Sequence, residues 1–192
     1  VHPSVKANSV AELIALAKAN PGKLNFASGA SFAQLLGEAF KHRAGVDIVH
    51  VRYKGIQPAI TEFLAGRVEL IFADLPSILP QHKAGKARIL GVTGAHRSGI
   101  APEIPTIAER GLAGYDFPTW YAYVAPAATP RAVIEKLNAA IVRALENGEI
   151  RKRLLALGLD VRPSKPEYVD QLVRSEIDKW GKIVKEAGIA PQ

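Results

Sequence analysis

The chain has 192 residues, 48% of them hydrophobic and 22% charged, enough for one full core built as one large domain or two small ones. It has no cysteine, which excludes disulfides, thiolate zinc sites, iron–sulfur clusters and a cysteine nucleophile. The formal charge of +7 would suit nucleic acid, anionic lipid or small anions. However, Lys41-His42-Arg43 and Arg151-Lys152-Arg153 are short, isolated clusters, and no basic stripe alternates with aromatics, which argues against nucleic acid.

In chain order, Ser9 and Glu12 form a capping-box pair ahead of a helix from Val10 to Lys18, ended by Pro21-Gly22. A short β-type run, Leu24 to Ala27, follows. Phe32, Leu35, Leu36, Ala39 and Phe40 recur at helical spacing and form one face of a second helix. Pro58 opens a third helix through Leu64, and Pro76-Ser77 a fourth through Lys83. These helices stop at Ala44-Gly45, Ala65-Gly66 and Ala84-Gly85, and a β-type run follows each stop: Val46 to Val51, Val68 to Phe72 and Ala87 to Val92. Glycine just past a helix end takes the left-handed conformation that closes it, so helix and strand alternate. At least four strands, most of them feeding helices, predict an α/β fold with a mainly parallel sheet covered on both faces.

Thr106 to Glu109, before Gly111, predicts a short helix. Pro118 to Ala125 is an aromatic-rich extended segment in which Trp120 and Tyr121 either wall a pocket or sit in the core. Thr129-Pro130 offers an N-cap and a proline at the first helical position for a helix striped by Ile134, Leu137, Ile141 and Leu145. Leu157 to Val161 reads as a helix stop and a short strand. A last amphipathic helix, Pro166 to Glu186, carries Val169, Leu172, Val173, Ile177 and Trp180 on its apolar face. The expected division is an α/β ligand-binding lobe over 1–125 and a mostly helical C-terminal segment over 126–192. No apolar run approaches the roughly 20 residues of a membrane span.

In open α/β sheets, ligands bind at the carboxyl ends of the strands. Three loops should therefore share one rim: Ser28-Gly29-Ala30-Ser31, Tyr53-Lys54-Gly55 and Asp74-Leu75-Pro76-Ser77. The first joins two hydroxyls and a glycine to a helix N-terminus, whose N–H groups and dipole favour an anion; the plainer reading makes Ser31 an N-cap and Gly29 a turn residue. Lys54 either offers charge to a carboxylate or is solvated. Asp74 either accepts a hydrogen bond from a ligand or caps the next helix. The histidines His2, His42, His50, His82 and His96 show no HExxH or HxH pairing, which argues against a metal. There is no Gly-x-Ser-x-Gly elbow, P-loop or Gly-x-Gly-x-x-Gly. No cofactor is expected, and a binding protein is favoured over an enzyme.

Leu24-Asn25-Phe26-Ala27-Ser28-Gly29, Val51-Arg52-Tyr53-Lys54-Gly55, Phe72-Ala73-Asp74-Leu75-Pro76-Ser77 and His82-Lys83-Ala84-Gly85-Lys86 closely resemble the Bug-type substrate-binding proteins of tripartite tricarboxylate transporters. So do Val92 to Ser98, Ile104 to Glu109, Trp120 with Ala125 to Pro130, and Trp180 to Val184. The ordered set spans nearly the whole chain. The resemblance implies a periplasmic receptor of the periplasmic-binding-protein-like (type II) fold, with two α/β lobes hinged around a small organic anion, usually a carboxylate. Such a receptor passes its ligand to membrane transporter subunits and does no chemistry on it. The resemblance also implies that backbone N–H groups and ordered waters hold the carboxylate. It maps this lobe's share onto Ser28, Gly29, Ala30 and Ser31, with contributions from Tyr53, Lys54, Gly55 and Asp74. The loop after the first strand is a few residues shorter than the family's.

With Val1 first and no methionine, the chain is expected to be a piece of something longer, and the resemblance begins where the family enters its second lobe. The apolar stripe of the C-terminal helices, whose place in the family is on the first lobe, is then expected to fold onto residues 1–125 or to pair with a second copy as a homodimer. A stand-alone α/β interaction or dimerising fragment without a small ligand is the alternative reading.

Overall fold

Ser9 opens the first helix as the capping pattern requires. Its Oγ accepts the Glu12 N–H at 3.1 Å, while the Glu12 carboxylate reaches back to the Asn8 N–H at 2.9 Å. The computed structural model describes residues 1–186 and Gly188. Helix α1 (Val10–Ala19) is followed by β1 (Asn25–Ser28), α2 (Ser31–Ala44), β2 (Val49–Arg52), α3 (Ile56–Leu64), β3 (Leu70–Ile71) and α4 (Leu75–Lys83). Gly45, Gly66 and Gly85 have φ of 60, 71 and 71°, so all three Ala-Gly stops use the left-handed conformation that only glycine adopts without strain.

The three strands form one parallel sheet in the order β2-β1-β3. Phe26 pairs with His50, Ser28 with Arg52, and Ala27 with Val51 and Ile71. Because side chains alternate along a strand, Phe26, Ser28 and His50 share one face and Ala27 and Val51 the other. Helix α2 covers the first face. It comes so close that a Cβ on Gly37 would lie 2.1 Å from Cε2 of Phe26. Helices α3 and α4 cover the second, where Ala27 packs with Ala59, Ile60, Phe63, Val68, Ile78 and Ala87. An aromatic chain extends the first face: Phe26 meets Phe72 edge-on, Phe72 meets Phe40, Phe40 meets Tyr115, and Tyr115 meets Phe117. The buried Tyr115 hydroxyl donates to the Leu36 carbonyl of α2 at 2.9 Å, and burial raises its pKa far above that of a free phenol.

The expected fourth strand is absent among the described residues. Ala87 to Val92 makes only one isolated parallel bridge, Val92 to Thr106: the Arg88 N–H donates to the Val1 carbonyl, and at the segment's last residue the Val92 N–H donates to the Pro105 carbonyl and the Ile107 N–H to that of Val92, all at 2.9 Å. Thr106 to Glu109 forms the capping interactions without the helix. The Glu109 carboxylate accepts the Thr106 N–H at 2.7 Å and the Thr106 hydroxyl the Glu109 N–H at 3.1 Å, but the chain turns away at Gly111 with φ of 129°. Strand β2 starts at Val49, later than the expected Val46. Helix α3 begins two residues before Pro58, where a first-turn proline sacrifices no helical hydrogen bond.

Two compact units are resolved: residues 1–118 together with the last turn of α7 from Ile183, and Thr119–Lys182. The second holds α5 (Arg131–Glu146), α6 (Gly148–Ala156) and most of α7 (Pro166–Glu186). Pro130 is the N-cap of α5, not its first helical residue; its ψ of 140° is extended, and its carbonyl accepts the Val133 and Ile134 N–H groups. Helix α6 was not expected as a separate element. Asn147 makes the break, its side chain accepting the N–H groups of Glu149 and Ile150 at 3.0 and 3.2 Å. Gly158 stops α6 with φ of 80°, but Leu157 to Val161 forms no strand. Trp120 and Tyr121 are not core residues; Tyr121 is 75% exposed.

Candidate functional site

Parallel pairing places the carboxyl ends of β1, β2 and β3 along one edge, and each strand runs within a few residues into the N-terminus of α2, α3 or α4. The three predicted loops are therefore brought together on one rim. None of these helices has a side-chain cap: the N-cap residues are Ala30, Gly55 and Asp74, and no side-chain oxygen accepts from the first turn. Helices α1 and α6, elsewhere in the chain, are capped by Ser9 and Asn147. First-turn N–H groups have no intrahelical partner. The rim thus gathers donors and the positive ends of three helix dipoles, an arrangement suited to an anion.

The first two loops are in contact. A Cβ on Gly29 would lie 2.4 Å from the Gly55 carbonyl carbon and from the Ile56 nitrogen, so no other residue fits at 29 without moving the β2–α3 loop. Gly55 itself has φ of 113°, a conformation that strains any residue with a Cβ. The Tyr53 N–H donates to the Ser28 carbonyl at 2.9 Å, which ties the loops again just below the rim.

The predicted side chains behave differently from one another. Ser28 is only 1% exposed, and its Oγ lies 2.7 Å from Nε2 of His50, so its hydroxyl is committed to the protein interior. Ser31 is the first helical residue and not the cap; Ala30 holds that place, extended at φ −152°. Both Ala30 and Ser31 are exposed at the rim, as are Lys54 and Asp74, while Tyr53 is half-buried. Asp74 stands at the N-cap of α4 without capping it. Helices α3 and α4 each have a proline in the first turn, Pro58 and Pro76, which removes a donor, so α2 keeps the fullest set of donors, with the start of α3 pressed against it at Gly29 and Asp74 an acceptor beside them.

In the sequence His50 carries no signal beyond that of a candidate metal ligand without a paired histidine. Its ring lies 4.9 Å from that of Phe26 at 32°, and burial holds its pKa below the usual imidazole value. The link to Ser28 depends on the pairing register and has no local sequence signal. Among the described residues, no group of three or more histidine, cysteine or acidic side chains is gathered as a metal would need, and no helix is long and apolar enough to cross a membrane.

Comparison with known proteins gives this geometry a setting. The chain is 37% identical over 180 residues to the UPF0065 protein in the tcbD-tcbE intergenic region of Pseudomonas sp. strain P51, covering 92% of this chain and 54% of that protein. It is 33% identical over 189 residues to protein BugT of Bordetella pertussis, covering 97% and 58%. The chain thus spans little more than half the length of these relatives. Among solved structures, Rpa4515 of R. palustris with adipate matches at a TM-score of 0.85 and 35% identity, over 100% of this chain and 65% of that one. MatC from Rhodopseudomonas palustris with bound malate matches at 0.76 and 28%, over 95% and 64%. The α/β fold expected from the alternation of elements is the fold of these neighbours. The TctC family, described as the tripartite tricarboxylate transporter family receptor, matches residues 1–189, and the chain belongs to that family.

Proposed function

We propose that this chain is the solute-binding part of a periplasmic receptor that takes up a small organic carboxylate at the β1–α2 and β2–α3 rim and delivers it to membrane transporter subunits, with no chemical step. Backbone N–H groups of residues 29–31 and of 54 and 55, with ordered waters, hold the carboxylate; Tyr53, whose own N–H is bonded to the Ser28 carbonyl, lines the site, and Asp74 accepts from a ligand hydroxyl or amine. The observation that carries this reading is the convergence of three helix N-termini without side-chain caps, two of them pressed together at Gly29 and Gly55. Two neighbours solved with adipate and malate, both dicarboxylates, support the ligand class.

Proline at position 31 tests the backbone role directly. Proline suits the first helical position, and the extended Ala30 suits a residue before proline, so Ser31→Pro deletes one N–H while leaving the helix intact. A bound carboxylate at a hundredfold excess over its Kd stabilises the fold by about 2.7 kcal/mol. In thermal melts with adipate and malate, Ser31→Ala should keep most of that shift and Ser31→Pro lose most of it. Asp74→Ala should weaken malate, which has a hydroxyl, more than adipate. No shift of the unaltered protein with any small carboxylate would sink the reading.

A dimerising role for the C-terminal helices stands beside it, supported by the exposure of Leu137, Val173 and Ile177. In the longer receptor the same stripe, within residues 126–192, packs on the first lobe. Light scattering decides for this chain: a monomer that keeps its ligand response removes the dimer, and a dimer with no ligand response favours the interaction fragment.

A further inference from the structure

Beneath the rim, a part-buried contact joins the last residue of β1 to β2: Oγ of Ser28 and Nε2 of His50, 2.7 Å apart. We propose that His50 is a positioning residue for the ligand loops, holding the Ser28 hydroxyl and, through it, the backbone at residues 29–31 and 53–55. This rests on the carboxylate reading above and adds to it the group that sets the loop geometry.

The imidazole is itself held in place. It lies over the fully buried Phe26, which is pressed from above by α2 at Gly37 and meets Phe72 edge-on at 5.9 Å. Ser28 is the last residue of the central strand and the point at which both loops are fastened. Its side chain goes to His50, its carbonyl accepts the Tyr53 N–H, and the next residue, Gly29, abuts Gly55. A shift of the Ser28 side chain would therefore move both loops. An apolar pair would fill the same interior without the cost of desolvating a hydroxyl and an imidazole. What the polar pair adds is a directional bond at the place where strand becomes loop.

The test compares His50→Phe, His50→Gln and His50→Phe/Ser28→Ala with the unaltered chain. Glutamine places an amide nitrogen near the position of Nε2 and can restore the bond; phenylalanine keeps the ring stack without it. The first readout is hydrogen exchange without ligand at the Tyr53 amide, bonded to Ser28, and the Gln34 amide, bonded to Ala30, with the Val49 amide at the far end of the β1–β2 pair as control. His50→Phe should speed exchange at Tyr53 and Gln34 by about tenfold or more and leave Val49 unchanged, while His50→Gln stays within about threefold. Adipate affinity should follow the same order, with a loss of about tenfold or more in His50→Phe. The double variant, freed of the unpaired hydroxyl, should regain melting temperature yet keep fast exchange and weak binding. If it exchanges and binds like the unaltered chain, or if His50→Phe leaves exchange unchanged, the bond only satisfies a buried hydroxyl and the proposal falls. If the unaltered chain binds no adipate, the carboxylate reading fails, and exchange alone still decides for or against His50.

Discussion

Helices α2 and α5 are close in length, 14 and 16 residues, and both are striped with apolar residues, yet α2 buries Leu36, Gly37, Ala39, Phe40 and Ala44 while α5 buries none. Neither helix has a side-chain cap, so the contrast lies in their neighbours. The helices around the sheet keep uncapped N-termini at a shared rim, whereas α6, in the second unit, has its donors taken by Asn147. Apolar periodicity states that a face needs a partner; it does not say that one is present. In residues 1–118 that partner is a sheet closed on both sides, and rigidity there is what a set of convergent backbone donors needs.

The difference should be sharpest in the response to added volume. Gly37→Ala puts a methyl into the ring of Phe26, 2.1 Å from Cε2, and neither helix nor sheet can yield cheaply; a loss of about 1–3 kcal/mol or more is expected in urea denaturation. Tyr115→Phe keeps the packing and removes the hydroxyl that donates to Leu36, so a smaller loss of about 1 kcal/mol should follow. Gly181→Ala, on α7 where nothing lies within 4 Å of an added Cβ, should have the opposite sign, a gain of about 0.5–1 kcal/mol from helix propensity and reduced freedom of the unfolded chain. A Gly37→Ala variant as stable as the unaltered chain would mean that α2 can lift from the sheet, and the rim would lose its rigid support.

The helix–strand alternation was legible because its marks are local: a capping box at Ser9, apolar spacing in α2, and glycines at 45, 66 and 85 that all proved left-handed. The three loops followed from topology alone, since parallel strands send their carboxyl ends to one edge. What failed was decided by contacts distant in sequence. Ala87 to Val92 has the composition of a strand but is bonded at Arg88 to Val1 and at Val92 to Pro105 and Ile107. The partner of the Ser28 hydroxyl, His50, is likewise set by the strand register and not by local sequence. Tyr115 and Phe117, which close the aromatic chain over α2, carry no pattern that sets them apart from loop residues. Asn147-Gly148, by contrast, is a local signal for α6: an asparagine before glycine and glutamate is a good start for a new helix.

His50 also makes the two regions differ in acid, by the smallest of these effects. The half-buried ring disfavours the charged form and holds the pKa below the usual 6.5; Glu38 of α2 opposes this, and Lys41 of α2 and Arg52 of β2 add to it. Glu38 and Lys41 are themselves paired at 3.0 Å. Between the folded value and 6.5 the unfolded chain binds more protons than the folded one, so stability is fully present above pH 6.5 and declines as pH falls through the folded value. A carboxylate at the rim acts in the reverse direction, because an anion near the ring favours the imidazolium and brings a proton with it. Thermal melts from pH 7.5 to 5 should therefore show the unaltered chain losing more stability than His50→Gln, with adipate narrowing the gap. Parallel curves for the two proteins would place the acid sensitivity elsewhere and leave His50 a neutral part of the sheet across this range.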